Sequence, residues 1–460
     1  MSILLTTKKH IRLLGAGMLV GVFWAGFAGA AEIAVSPGDG TLQAAIDDAG
    51  TVDGDTLLLG GGIYTHSAFS QISVTKSLTI RASARGVIPS IRKSLGIQAP
   101  TVILQGLELN NANVLDQNGS STLIVSECSF VEGDLRTGCT GCLDDLFLFG
   151  TSFSTSGSRT VQLWATRRVY AAANAFTAAP GASIQISISE TPKLVHFIGN
   201  EVTSSQPNLA GPLVDVINVE SSRFIANRFD IRLDLAYGSD PDTGRVIQVP
   251  TPSIIRNNLF RLVDTSMLDD STNIILGLNM VDVLSAADGT RIENNVFDFG
   301  NNPLSTGNNP DSGVIDTEAQ ITIQGNIFVN GDRPLFTESA DTVDFNVFRN
   351  NLCFNNTNDS CPSGDGNLNA DPLFVDTADY MLQNGSPAIN AGPDLAFLVD
   401  LDGTRADMGL YGGPFPIDQY DAQRNDTSTA PFVFPVFDAS RSVNVIGDLP
   451  ISVIGIARIR

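Results

Sequence analysis

The chain alternates short apolar runs with polar turn residues, and one phrase in that alternation recurs. An apolar strand is followed by an Asn, then any residue, then Phe or another apolar side chain. The instances are Asn174-Ala-Phe176, Asn200-Glu-Val202, Asn227-Arg-Phe229, Asn258-Leu-Phe260, Asn295-Val-Phe297, Asn326-Ile-Phe328 and Asn346-Val-Phe348. Degenerate copies precede them at Leu107-Glu-Leu109, Cys128-Ser-Phe130 and Thr151-Ser-Phe153, and successive copies lie 20 to 37 residues apart. A unit of this length cannot bury its apolar face alone, so copies must stack into a solenoid.

Residues 216–230 show the unit. Val216-Ile-Asn-Val219 predicts a first strand and Glu220-Ser-Ser222 a turn. Arg223-Phe-Ile-Ala226 predicts a second strand, Asn227 a corner, and Arg228-Phe-Asp230 a third strand. The same parse fits 246–262, 281–299, 314–330 and 335–350. Three short strands per coil predict an all-β parallel β-helix, its coils stacked about 4.8 Å apart. A one-residue corner demands a left-handed backbone, which Gly and Asn tolerate best. The repeated Asn residues are therefore expected to be structural, hydrogen-bonding from coil to coil, and each Phe is expected to point inward and stack.

Ahead of the repeats, 40–49 predicts a short helix with Thr41 as N-cap and Leu42, Ala45 and Ile46 on one face. A helix followed by strands predicts a cap over an otherwise open sheet edge. Residues 1–30 have the pattern of a secretory signal peptide: Lys8, Lys9 and Arg12, an apolar run from Leu13 to Phe27, then Ala28-Gly29-Ala30. The expected organisation is thus leader 1–30, cap 31–60, β-helix 61–350, closing segment 351–413, then a linker (414–431) and short β tail within 414–460.

Composition sharpens this picture. Charged residues are 17% of the chain, with 43 Gly and 22 Pro, as suits a turn-rich β protein rather than a helical one. The formal charge of -22 argues against nucleic acid and anionic membrane as partners, and against bare polyanions unless a cation bridges them. No stretch beyond the leader is long and apolar enough to span a bilayer. Export permits disulfides, and Cys353 and Cys361, closing a short loop, are the best pair. Cys139-Thr-Gly-Cys142 is compatible with a tight disulfide, a redox pair or half a metal site. No second C-x-x-C and no nearby His completes a zinc set.

The region around 60–350 resembles the right-handed parallel β-helix proteins of the pectate-lyase-like superfamily. That superfamily includes lyases, hydrolases, epimerases, tailspikes and non-enzymatic surface proteins, so the resemblance implies a fold and leaves activity open. Downstream, Asp371-Pro-Leu-Phe374, Tyr380-Met-Leu382, Ser386-Pro-Ala-Ile389, Ala391-Gly392 and Asp400-Leu-Asp-Gly403 through Asp407-Met-Gly-Leu-Tyr411 resemble a choice-of-anchor Q segment. Residues after 411 depart from that pattern, without a sorting signal of the LPxTG or PEP type.

Candidate chemistry follows from the parse. The longest turns, after Phe229, Phe260 and Phe297, would flank the first-strand sheet and form a groove, the place where the resembled proteins commonly bind polysaccharide. Alternation places Gln162, Gln185, Asn218, Gln248, Asp282 and Asp316 outward along it. The amides suit sugar hydroxyls. Asp282 and Asp316, expected on adjacent coils, would share a proton, bind a cation or form an acid–base pair with Arg245 nearby; ordinary solvated strand-face residues are the alternative. The Lys-and-Arg sites implied for a lyase and the acidic and Gly-His-Gly elements implied for a polygalacturonase are incomplete. Asp400-x-Asp402-Gly403 is a fragment of a Ca²⁺ loop lacking the remaining ligands, or a turn held by Asp side chains; Ca²⁺ is the one cofactor suggested. The leading expectation is an exported module engaging extracellular polysaccharide. The alternatives are a polysaccharide lyase or glycoside hydrolase, and a structural surface protein or adhesin.

Overall fold

The computed structural model describes residues 30–117, 121–137, 143–189, 192, 194–205, 214–216, 219–232, 247–248, 253–264, 289–298, 315–316, 320–331, 335–336, 347–356, 361–425, 432–436 and 452–456. They form a right-handed parallel β-helix. Each strand of the coils pairs in parallel with its counterpart one coil away, while Phe432–Val436 and Ser452–Ile456 pair antiparallel with each other. First strands run from Ile72–Val74 to Ile247–Gln248, second strands from Glu32–Val35 to Val347–Arg349, and third strands from Gly38–Asp39 to Leu368–Asn369. The coils therefore continue past the expected boundary at 350.

One residue per strand sits at the centre of each coil. Val161, Ile186, Val214 and Ile247 line the first sheet; Leu148, Ala171, Phe197 and Phe224 the second. In the third, Phe229, Phe260, Phe297 and Phe328 stack nearly parallel at 4.9–5.1 Å, and Phe130, Phe153 and Phe176 stack at 4.5–5.0 Å. Such ring pairs contribute about 0.5–1.5 kcal/mol each beyond the burial of their area. The phrase breaks at Val202, between the two stacks. Phe197 of the second sheet fills the gap, 6.0 Å from Phe176 and 6.4 Å from Phe229.

Between second and third strands runs a ladder of buried amides. Asn258 Oδ1 accepts from the Asn227 backbone N–H (2.9 Å) and from Asn227 Nδ2 (2.8 Å). Its own Nδ2 donates to Phe224 O (2.8 Å) and to Asn295 Oδ1 (3.0 Å). Asn174, Asn200, Asn227, Asn295 and Asn326 repeat the pattern. Two details differ from the expectation. The left-handed residue is the one before each ladder Asn: Ala173, Gly199, Ala226, Asn257, Asn294 and Gly325, with φ of 54–72°. The ladder Asn itself turns inward, where its amide replaces the strand hydrogen bonds lost at the corner. Moreover, Asn346 lies outside the described residues, and Phe348 belongs to the second sheet as the partner of Ile323. The ladder continues instead through Asn351 and Asn367. Asn351-Leu352-Cys353 is thus the true next copy, with Cys353 opposite Phe328.

The helix Thr41–Asp47 buries Leu42 and Ile46 in the main core. Gly40, not Thr41, is its N-cap, at φ 72°, and Thr41 Oγ1 donates back to Gly38 O. Gln43 accepts from Ser73 N and donates to Ser73 O, so one side-chain amide stands in for a neighbouring strand at the edge of the first sheet.

Beyond the Cys353–Cys361 disulfide, the chain turns back along the outside of the coils as a strap. Its Tyr380, Met408, Leu410, Ile417 and Tyr420 form a second apolar cluster with outward-facing Leu259, Val296, Ile327 and Leu352. Residues Ile417–Asn425, inside the stretch expected to be linker, form a helix. The strap is fixed by the corners it crosses. Asn257 Nδ2 donates to Leu410 O and Gly412 O, Asn294 Nδ2 to Asp407 O, and Asn350 Nδ2 to Ala391 O. Where the strap runs closest the corner is Gly: a Cβ on Gly199 would lie 2.9 Å from Tyr420 Cβ. Under the strap, Glu293 is fully buried between Arg256 and Arg291, which carry Phe415 and Phe397 over their guanidiniums. Burial works to raise the Glu293 carboxyl, but the two cations outweigh it and hold it below the ordinary range.

Candidate functional site

The third sheet is crossed by the strap on its C-terminal coils, and the outer residues of the second sheet on the middle coils, Phe147, Phe149, Tyr170 and Ile198, are buried. The outer face of the first sheet carries a row of positions in register over the same coils, polar and half-buried at Ser73, Gln162 and Ser187. Strand register sets it in order: Ser73, Gly96, Leu115, Arg136, Gln162, Ser187, Asp215, Gln248. Inward neighbours Val161 and Ile186 are buried, so alternation fixes Gln162 and Ser187 on the outside.

At its centre the row meets an aromatic. Trp164, two residues beyond Gln162, is half-buried on the same face. Its Nε1 donates to Ser187 Oγ one coil on (3.2 Å), and its backbone N–H donates to Thr137 Oγ1 one coil back (2.7 Å). Thr137 Oγ1 donates in turn to Gln162 O. Trp164 is thus tied to both adjacent coils, by its indole to one and by its backbone to the other. Toward the N-terminal end, Gln71 and Gln117 exchange two hydrogen bonds of 3.0 Å above Gly96, and Gln98 donates to Gln117. A Cβ at Gly96 would lie 2.5 Å from Gln71 Nε2, so glycine is required for that amide pair to close.

The charges beside Trp164 are paired. Arg136 and Arg159 both lie on buried Asp134, and Arg159 also on Glu132. In the following turn Arg167 and Arg168 fork the buried Asp145 carboxylate. Burial pushes that carboxyl up, and the bonds from Arg168 and Arg167 more than reverse it, leaving it ionised below its ordinary range.

Of the residues expected in the groove, Gln162 lies on the row. Gln185 pairs with Thr160, two residues along the strand from the row position, which Ser187 occupies. Gln248 occupies the row position opposite Asp215. Asn218, Arg245 and Asp282 lie outside the described residues. Asp316 lies in a two-residue strand, Ile315–Asp316, paired with Leu335–Phe336. Trp164 and Ser187 were not anticipated. The signal was present: the alternation that puts Gln162 outward also puts Trp164 outward two residues later. His196 lies on the second sheet, against Tyr170.

Asp400 and Asp402 serve turns. Asp400 accepts from Gly413 N and Asp407 N, and Asp402 from Thr404 N and Oγ1. These carboxylates meet N–H and O–H donors, where a cation site needs converging oxygens. Burial, with Asp407 nearby, pushes the Asp400 carboxyl up to about 6. Among the described residues no three His, Cys, Asp or Glu side chains are grouped to hold a metal, and no helix is long and apolar enough to cross a membrane.

No family model matches this chain, and no curated protein does. Among solved structures, a mutant form of the PL6 family alginate lyase AlyGC matches over 85% of this chain and 58% of its own, with 14% identity and a TM-score of 0.42. A second structure of AlyGC matches over 77% of this chain and 55% of its own, with 12% identity and a TM-score of 0.39. The chain thus spans a little over half the length of these lyases.

Proposed function

We propose that this protein engages extracellular polysaccharide along the outer face of the first sheet. The observation that supports the reading is half-buried Trp164, its indole Nε1 bonded to Ser187 on one adjacent coil and its backbone N–H to Thr137 on the other, with Gln162 two residues before it. An indole face stacks on the C–H face of a pyranose, while amides and hydroxyls both donate to and accept from its hydroxyls. Coils repeat about every 4.8 Å, close to the length of one sugar residue, so a row along the axis suits a linear chain. Export is part of the proposal, supported by the residue pattern of 1–30 and in keeping with the Cys353–Cys361 disulfide.

Affinity electrophoresis through gels containing a panel of soluble polysaccharides, alginate and pectate included, tests it. Retardation by at least one member, reduced in Trp164→Ala and Gln162→Ala, is expected. Equal mobility in every gel would refute it. Assay of the same mixtures for new reducing ends or unsaturated products separates a binding module from a lyase or hydrolase.

A further inference from the structure

We infer that the polysaccharide held on this face is a neutral one. The inference rests on the reading just given and adds the substrate class. Selecting a polyuronate takes cations with charge to spare, because each sugar residue brings a carboxylate. Around Trp164 the cations are Arg136, Arg159, Arg167 and Arg168, and each is matched. The matching carboxylates are Glu132, Asp134, Asp144 and Asp145. Asp134 and Asp145 are 1% and 2% exposed, so they cannot swing away and release their arginines to a ligand. Glu132 is also fixed, accepting from Ser156 N and Thr155 Oγ1, and these bonds hold its carboxyl low and ionised.

The patch is therefore electrically balanced, within a chain of formal charge -22. A polyanion approaching it meets a repulsive field with no local excess of positive charge to offset it. The groups left to make contacts are the indole of Trp164, the amide of Gln162 and the hydroxyls of this face. All are uncharged, and the amide and the hydroxyls both donate and accept, as the hydroxyls of a neutral hexose or pentose chain do. On the coils toward the N-terminus, Gln71, Gln98 and Gln117 beside the row add further uncharged amides.

Trp164 makes the test direct, since the chain has two tryptophans and the other, Trp24, lies in the leader. Indole emission of the full chain is titrated at low ionic strength with oligosaccharides of matched length from xylan, mannan, laminarin, alginate and pectate. The Trp164→Phe variant supplies the Trp24 background. A shift with at least one neutral oligosaccharide is expected, at tenfold or greater affinity over both acidic ones and unchanged in 0.5 M salt, as neutral contacts are not screened (about 10 Å Debye length at 0.1 M). Preference for alginate or pectate, whether in EDTA or only with added Ca²⁺, overturns the neutral class and leaves the site standing. No shift with any oligosaccharide, together with retardation in gels that Trp164→Ala does not change, overturns the site as well.

Discussion

Asn258→Ala is the sharpest test of what holds the coils in register. The side chain makes four hydrogen bonds at 2.8–3.0 Å, all in the fully buried corner. After truncation Asn295 Oδ1 keeps the Asn258 backbone N–H, and Asn227 Nδ2 keeps Phe197 O. Asn227 N–H and Phe224 O lose the partner that Asn258 supplied. Leaving a buried polar group unsatisfied costs about 1–3 kcal/mol, and a lost neutral bond about 1 kcal/mol. Two of each give an expected loss of about 4–8 kcal/mol, before any gain from water entering the space. Urea denaturation followed by circular dichroism measures the total. Hydrogen exchange of the Asn227 amide measures the local part, with protection expected to fall more than a hundredfold. Asn258→Thr, imitating Thr151 at the head of the ladder, retains one hydroxyl and should lose less. A change below about 1 kcal/mol with the Asn227 amide still protected would refute the ladder as a source of stability.

Three further outcomes follow from the strap. Glu293→Gln leaves Arg256 and Arg291 buried without their counter-charge and should cost about 3–5 kcal/mol, read as a lowered urea midpoint. In the wild type, the depressed Glu293 carboxyl contributes stability that is present above its unfolded pKa near 4.5 and is lost as pH falls through its lower folded value. Asp400 has the opposite sign: its carboxyl is raised to about 6, so its contribution weakens as pH rises from about 4 through 6. Asp400→Asn should raise the melting temperature at pH 8 more than at pH 5; equal shifts would show that charge is not the cause. Gly199→Ala places a methyl against Tyr420 at a φ of 61° and should expose the helix Ile417–Asn425 to limited proteolysis while the N-terminal coils stay resistant.

How much of this was legible depends on which position of the phrase is considered. Asn and Phe carried the architecture because both are inside and both repeat once per coil, so periodicity alone revealed them. The strap was missed because its signal lay at the residue between them. That position is Ala175, Glu201 and Arg228 in the earlier copies, then Leu259, Val296, Ile327 and Leu352. An outward strand position that turns apolar over consecutive coils announces that something covers it. The strap's own apolar residues have no period, since they conform to a surface already made. Gln162 was legible by alternation and Trp164 by the same rule. Gln185 shows the rule's limit: alternation gives the face, but only register gives the row.

The strap also changes what kind of polymer this is. A plain solenoid is a one-dimensional stack in which each repeat senses only its neighbours, so it can fray and zip from either end. Arg228 is bound to Asp421, 193 residues away, and Asn257 to Gly412, 155 residues away. These contacts cross-brace the C-terminal coils into one body that must open together, while the N-terminal coils keep nearest-neighbour behaviour. Because the bracing residues follow the coils in the chain, those coils stay unlocked until the strap itself has been synthesised. Pulling on the two ends should therefore peel the N-terminal coils in small steps and release the braced coils in one.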